Sequence, residues 1–210
     1  MRYIIFLPFI LICFNACFIS GKDCFKDHLF TIDFNISPAQ DTFHVGDTIW
    51  ISSTIPEELL DEENQKLTNV SDINFPILFN ANQIDTSDFA PAEHYFDYLI
   101  EEGELFFQNI STWVTIDLMY EQIGKQQKIR FGIIPQRAAN IQLSFYSLTE
   151  ELEAIHPSNC VGKTLLHYNV NGGDAEANHY YFIEESNNPW IKITKDAYEI
   201  EGVYSFAVME

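Results

Sequence analysis

Basic residues are scarce in this chain: 11 Lys and Arg stand against 31 Asp and Glu, a formal charge of −20. That deficit argues against a nucleic-acid partner, because phosphate binding needs a basic footprint. It also argues against electrostatic attraction to anionic headgroups. No Pro-, Gly- or Ser-rich linker, repeat or low-complexity tract divides the chain, so a single domain is expected. No uninterrupted apolar run reaches the ~20 residues of a spanning helix. The motifs of nucleotide, serine-hydrolase and zinc-protease chemistry are also missing. Gly162-Lys163-Thr164 imitates the end of a phosphate-binding loop, but Pro157 stands where that loop needs glycine. Neither Gly-x-Ser-x-Gly nor His-Glu-x-x-His occurs.

What is present begins with the leader. Arg2 precedes an apolar run from Ile4 to Phe14, the n-region and h-region of an export signal. An uncleaved anchor is the competing reading, opposed by Pro8, Asn15 and the early charges Lys22 and Asp23. Phe14-Asn15-Ala16-Cys17 resembles the lipobox of bacterial lipoproteins, with a small residue directly before the cysteine. That resemblance implies a signal peptide over residues 1–16, a lipid on Cys17 and a polar tether over 17–25, with a single domain from 26 to 210. Ordinary cleavage after Ala16 or Gly21 is the alternative.

With Cys13 in the h-region and Cys17 at the lipid site, Cys24 and Cys160 remain. In an oxidising compartment an even remainder suggests a Cys24–Cys160 disulfide, worth roughly 4 kcal/mol across a long loop. Two buried thiols are the other reading.

Eighteen Phe and ten Tyr argue for a folded, strand-rich protein. Phe30, Ile32, Phe34 and Ile36 alternate with Thr, Asp and Asn, the period of a half-buried strand that stops at Ser37-Pro38. Phe43 and Val45 lead through a Gly46-Asp47 turn into Ile49 and Ile51. Residues 56–66 read as an acidic loop with a short helical turn, and 73–79 as a strand that Pro76 would place at an edge or a bulge. Tyr95, Phe96, Leu99 and Ile100 fall at helical spacing, predicting a helix on the sandwich rim. Residues 113–120, 128–134 and 141–145 read as a three-stranded meander, and 164–170 as a further strand. Asn171-Gly-Gly-Asp174 marks a turn, with Asp174 capping a helix from Ala175 to Glu185. The last strand, Val203 to Met209, is apolar on both faces and therefore central or covered.

Ser37-Pro38 followed by Asp41-Thr-Phe-His-Val-Gly-Asp-Thr-Ile-Trp50 looks like the opening of immunoglobulin-like domains in exported bacterial proteins, and with the leader is similar to exported lipoproteins of Bacteroidota. The resemblance implies an address and a fold. About eight strands with one or two short helices predict a mainly β, immunoglobulin-like antiparallel β-sandwich.

Candidate chemistry is thin. The six histidines, at 28, 44, 94, 156, 167 and 179, are scattered without zinc spacing. Asn169-Val-Asn171-Gly-Gly-Asp174-Ala-Glu176 offers oxygens but lacks the alternate carboxylates of a calcium loop. Glu57-Glu58 and Glu101-Glu102 are acid pairs of the kind a glycosidase uses, although acids are too abundant to single them out. Trp50, Trp113, Trp190 and His179-Tyr-Tyr-Phe182 would stack on sugar rings if exposed, and would otherwise be core. No cofactor and no catalytic residue is expected. The expected protein is a non-enzymatic cell-envelope lipoprotein, held outside the cytoplasm at the outer membrane or cell surface by its lipid. It would contact a protein or glycan partner, with a carbohydrate-binding or adhesion module and an acid-dependent hydrolase as alternatives.

These expectations meet in one measurement. The intact mass of the native protein should start at an acylated Cys17, and Cys17→Ser should remove that mass and release the protein from the membrane fraction. Alkylation before and after reduction registers the Cys24–Cys160 bridge.

Overall fold

The structure is a computed structural model that describes residues 27–87, 90–110, 113–147 and 163–210. The leader, Cys17, Cys24, His156 and Cys160 lie outside the described residues.

In chain order the first strands are β1 (His28–Ser37), β2 (Thr42–His44), β3 (Ile49–Ile55), β4 (Glu58–Asp61), β5 (Lys66–Asn69) and β6 (Ile77–Gln83). A 3₁₀ turn, Glu93–Tyr95, leads into β7 (Phe96–Glu102), β8 (Glu104–Ile110), β9 (Trp113–Met119) and β10 (Glu121–Ile123). Then come β11 (Gln126–Pro135), β12 (Ala139–Tyr146), β13 (Thr164–Val170), the helices α1 (Tyr181–Glu185) and α2 (Lys195–Ile200), and finally β14 (Val203–Met209).

Two sheets face each other. The first runs β10-β11-β3-β1-β13, with β7 following β10 along the same edge of β11; the second runs β2-β14-β12-β6-β9-β8. Between them lies a core of period-2 side chains: Phe30, Ile32, Phe34 and Ile36 from β1, Phe131 from β11, Phe79 from β6, Phe145 from β12 and Phe206 from β14. Phe34 stacks on Phe145 with ring centroids 3.9 Å apart, and Phe79 meets Phe131 edge-on at 5.6 Å. These contacts between rings from opposite sheets fix which face of each strand points inward.

The expected β-sandwich with short helices is what forms, although its sheets are mixed. β13 pairs with β1 in parallel, and so does β2 with β14. The expected meander is not present. β9 and β12 belong to the second sheet while β11 belongs to the first, and the hairpin through Gly124 joins β10 to β11. Alternation identifies a strand but says nothing of which sheet it enters. Residues 56–66 form no helical turn: Glu58–Asp61 and Lys66–Asn69 make the β4–β5 hairpin. Pro76 precedes a strand that is central, since β6 lies between β12 and β9, and a proline just before a strand removes no ladder bond.

The predicted rim helix is strand β7 instead. Phe96 and Tyr98 face the core, and the strand completes the edge of β11. Long-range pairing overrides a local spacing that fits either structure. At Gly103 the chain leaves the first sheet for the second with φ +78°, and an added Cβ would lie 2.6 Å from the Met119 carbonyl. Only glycine accommodates that crossing.

A second, smaller cluster of Ile84, Ala175, Ile183, Ile191, Tyr198 and Val203 lies under residues 174–202. Asp174 Oδ1 accepts from the N–H groups of Glu176 and Ala177, but the helix it was expected to cap is reduced to a turn followed by α1. Tyr198 Oη bridges the Asn178 carbonyl and Ser205 Oγ, pinning this segment to β14. That explains the two apolar faces of the last strand: Tyr204, Phe206 and Val208 enter the main core, while Val203 enters the smaller one. Among the described residues no helix is long and apolar enough to cross a membrane.

Phe145→Ala should remove the ring on which Phe34 rests and cost about 3–5 kcal/mol, read as a lowered urea midpoint with an unchanged slope.

Candidate functional site

Among the described residues, short polar side chains collect on the outer face of the first sheet. Along β1 the residues between the core phenylalanines point outward, placing Asp33 and Asn35 on that face. Parallel pairing sets Asn169 of β13 directly beside Asp33, and antiparallel pairing sets Ser52 of β3 beside Asn35. Thr54 follows Ser52 on the same face two residues on. Short side chains on three adjacent strands leave a hollow, bordered at one end by Ala39 and Asn171-Gly172. Its volume is about 630 Å³, and three strands spaced ~4.8 Å apart give it a floor of roughly 10 Å.

Two internal hydrogen bonds shape this trough. Asn169 Nδ2 donates to Asp33 Oδ1 at 2.7 Å. Asn171, in the left-handed conformation with φ 49°, accepts the Ile36 N–H on Oδ1 at 2.8 Å and donates its own N–H to the Phe34 carbonyl at 2.9 Å. The amide of Asn171 thus prolongs the β1–β13 ladder past the end of β13, and its Nδ2 has no partner. The side chains of Asn35, Ser52 and Thr54 make no hydrogen bond within the described residues. At the next outward position of β3, Trp50 lies flat over Gly132, where a Cβ would meet two ring carbons at 3.3 Å. The Arg130 guanidinium stands 4.7 Å from the ring centroid and is ion-paired to Glu101.

The residues singled out from sequence do not converge. Trp50 borders the trough, Trp113 lies in β9, and Trp190 is 68% exposed in the loop after α1. Tyr181 stacks on Phe182 at 4.5 Å and donates to Asp41 Oδ2; hydrogen bonds from Thr42 and then Tyr181 hold the Asp41 carboxyl below its ordinary range. Glu57 pairs with Lys125 at 2.6 Å, and Glu101 with Arg130. His28 Nδ1 lies 2.7 Å from buried Asp61. Burial pushes the Asp61 carboxyl up, but bonds from His28, Asn64 and Leu29 outweigh it and hold it low. The Asn171-Gly-Gly-Asp174 turn forms as read, and its first two residues border the trough. Among the described residues no three His, Cys, Asp or Glu side chains come together to hold a metal. A second cavity, about 360 Å³, lies between residues 84–87 and 185–188 and carries Asp85 and Glu185.

Sequence reasoning missed the trough because its parts are ordinary polar residues of three strands. The one available signal was their place opposite the core alternation of β1, and nothing local names β13 as its neighbour.

No family model and no curated protein matches the chain. Among solved structures the chain is similar to the reeler domain of human F-spondin, at 8% identity over 69% of this chain and 90% of that domain, with a TM-score of 0.31.

One carboxyl stands apart electrostatically. Glu93, 3% exposed at the edge of β6, accepts the Ala81 N–H on Oε1, while Oε2 has no partner. Burial pushes its pKa up to about 7, against the lowering effect of the backbone N–H groups. The folded state therefore holds this proton more tightly than the unfolded chain. Stability is full below the ordinary carboxyl range and falls as pH rises towards 7, by roughly 3 kcal/mol at about 1.4 kcal/mol per unit. Glu93→Gln should flatten that fall, so that in urea unfolding at pH 5 and pH 8 the variant gains on the parent only at the higher pH.

Proposed function

We propose that the chain is a non-enzymatic binding domain of the cell envelope, exported by its leader, anchored by a lipid on Cys17, and holding its ligand on the open face of the first sheet. The observation that carries this reading is the trough itself, in which Asn35, Ser52 and Thr54 are presented from rigid strands with side chains that make no hydrogen bond among the described residues. Polar groups fixed by a sheet lose little freedom on binding, which favours recognition. Among the described residues the lining holds one carboxylate, Asp33, and no imidazole, thiol or amine, a set suited to holding a ligand and poor in acid–base partners. An excess of negative charge suits a soluble, displayed domain and leaves membrane attachment to the lipid.

The acid-dependent hydrolase is the second reading, and the cavity that carries both Asp85 and Glu185 is the observation in its favour. The two readings separate in a screen of glycosides, peptides and esters. The purified protein should leave the panel intact. Robust turnover that disappears in Asp85→Asn or Glu185→Gln would overturn the non-enzymatic reading.

A further inference from the structure

We infer that the trough on the first sheet is a saccharide site that recognises a neutral sugar through its hydroxyl groups. This deepens the binding role proposed above and rests on it.

The chemistry of the lining selects the ligand class. Sites for apolar small molecules are walled mainly by aliphatic and aromatic side chains, whereas this one is lined by Asp33, Asn35, Ser52, Thr54, Asn169 and Asn171, with Phe34, buried in the core, and Ala39 as the apolar exceptions among them. Carboxylate, amide and hydroxyl groups alternate across adjacent strands, so acceptors and donors lie side by side. A sugar hydroxyl is donor and acceptor at once and needs both within reach. Asp33 supplies the acceptor, because only its Oδ1 is engaged by Asn169. Asn171 shapes the end of the trough instead, because its Oδ1 is held by the Ile36 N–H and its Nδ2 is buried. Asn35, Ser52 and Thr54 add groups of both kinds between them. The volume of about 630 Å³ falls within the range of small-ligand sites, about 300–1,000 Å³.

Charge argues for a neutral sugar. Asp33 is the one acidic or basic side chain among the described residues of the lining, in a chain of net charge −20, so an acidic saccharide would be repelled. The cations of β11 stand outside the lining. Arg130, beside Ser52, is engaged by Glu101 and Trp50, and Lys128 lies beside Thr54. Trp50 therefore acts as a boundary and as a reporter two residues from Ser52.

Asp33 and Asn169 hold each other, so the pair is preorganised. Removing one partner should loosen the other as well as delete a contact.

The test is titration of the folded chain with neutral oligosaccharides of glucose, mannose, xylose and N-acetylglucosamine, and with oligogalacturonate as the acidic counterpart, followed by calorimetry and by Trp50 fluorescence. Ser52→Trp fills the hollow from a solvent-facing position, and Asn35→Ala and Asp33→Asn remove single groups. Binding of at least one neutral series, weakened tenfold or more by Asn35→Ala and abolished by Ser52→Trp at an unchanged melting temperature, is the expected result. Failure of every neutral series, preference for oligogalacturonate, or equal binding by Ser52→Trp would overturn the inference. If saccharides fail while Ser52→Trp also loses a protein captured from envelope extract by the parent, the sugar is wrong and the binding role stands. If oligosaccharides are instead cleaved, the binding role itself falls.

Discussion

The packing of phenylalanines between the two sheets is the constraint on which the remaining structure depends. Phe34 from the first sheet rests on Phe145 from the second, and Phe79 meets Phe131 across the same gap. Large rings packed at crystal-like density tolerate no slip of register, because a shift of one residue would turn every ring to solvent. With Phe30, Ile32, Phe34 and Ile36 committed inward, Thr31, Asp33 and Asn35 have nowhere to point but outward. The trough is therefore the reverse side of the core: the same alternation that buries the phenylalanines sets the polar row that a ligand would meet.

The two outer faces are not equivalent among the described residues, and on the proposed reading that asymmetry places the ligand on the first sheet. The segment from Asp174 to Gly202 lies against β14 and builds its own small cluster around Ile183, Tyr198 and Val203. On the first sheet, among the described residues, the outward positions around Asn35, Ser52 and Asn169 are short. Ser52, Thr54 and Asn35 leave a depression where longer side chains would have filled it. Where a long side chain does occur, at Trp50, the facing position on β11 is Gly132, so the indole lies flat and does not obstruct the sheet. Electrostatics follow the same division: Glu93, buried beside β6 with one oxygen unpartnered, retains its proton to unusually high pH, while the carboxylate of Asp33 stays at the surface.

Several elements could be read directly. The alternation over 30–36, the turn at Gly46-Asp47, the turn at Asn171-Gly-Gly-Asp174 and the doubly apolar strand at 203–209 each depend on local chemistry, and each is found. The rim helix failed for the reason the strands succeeded: Tyr95, Phe96, Leu99 and Ile100 satisfy a helical period, yet what decides their state is the unpaired edge of β11, far along the chain. Trp50, Trp113 and Trp190 could be nominated together because indoles are conspicuous, but the fold scatters them. Asn35, Ser52 and Thr54 could not be nominated, since a short polar residue in a strand carries no local mark of what lies beside it.

By itself the sequence determined the strand-rich class, the inward row of β1 and the net acidity, because these follow from residue type and period alone. Only the tertiary structure decided that Asn169 would stand against Asp33, 136 residues away, and that β13 would run parallel to β1 so that Asn171 could border the trough. The physical reason is that side-chain period fixes which face a residue takes, whereas the strand placed beside it is settled by long-range packing, for which two distant segments carry no shared local signal.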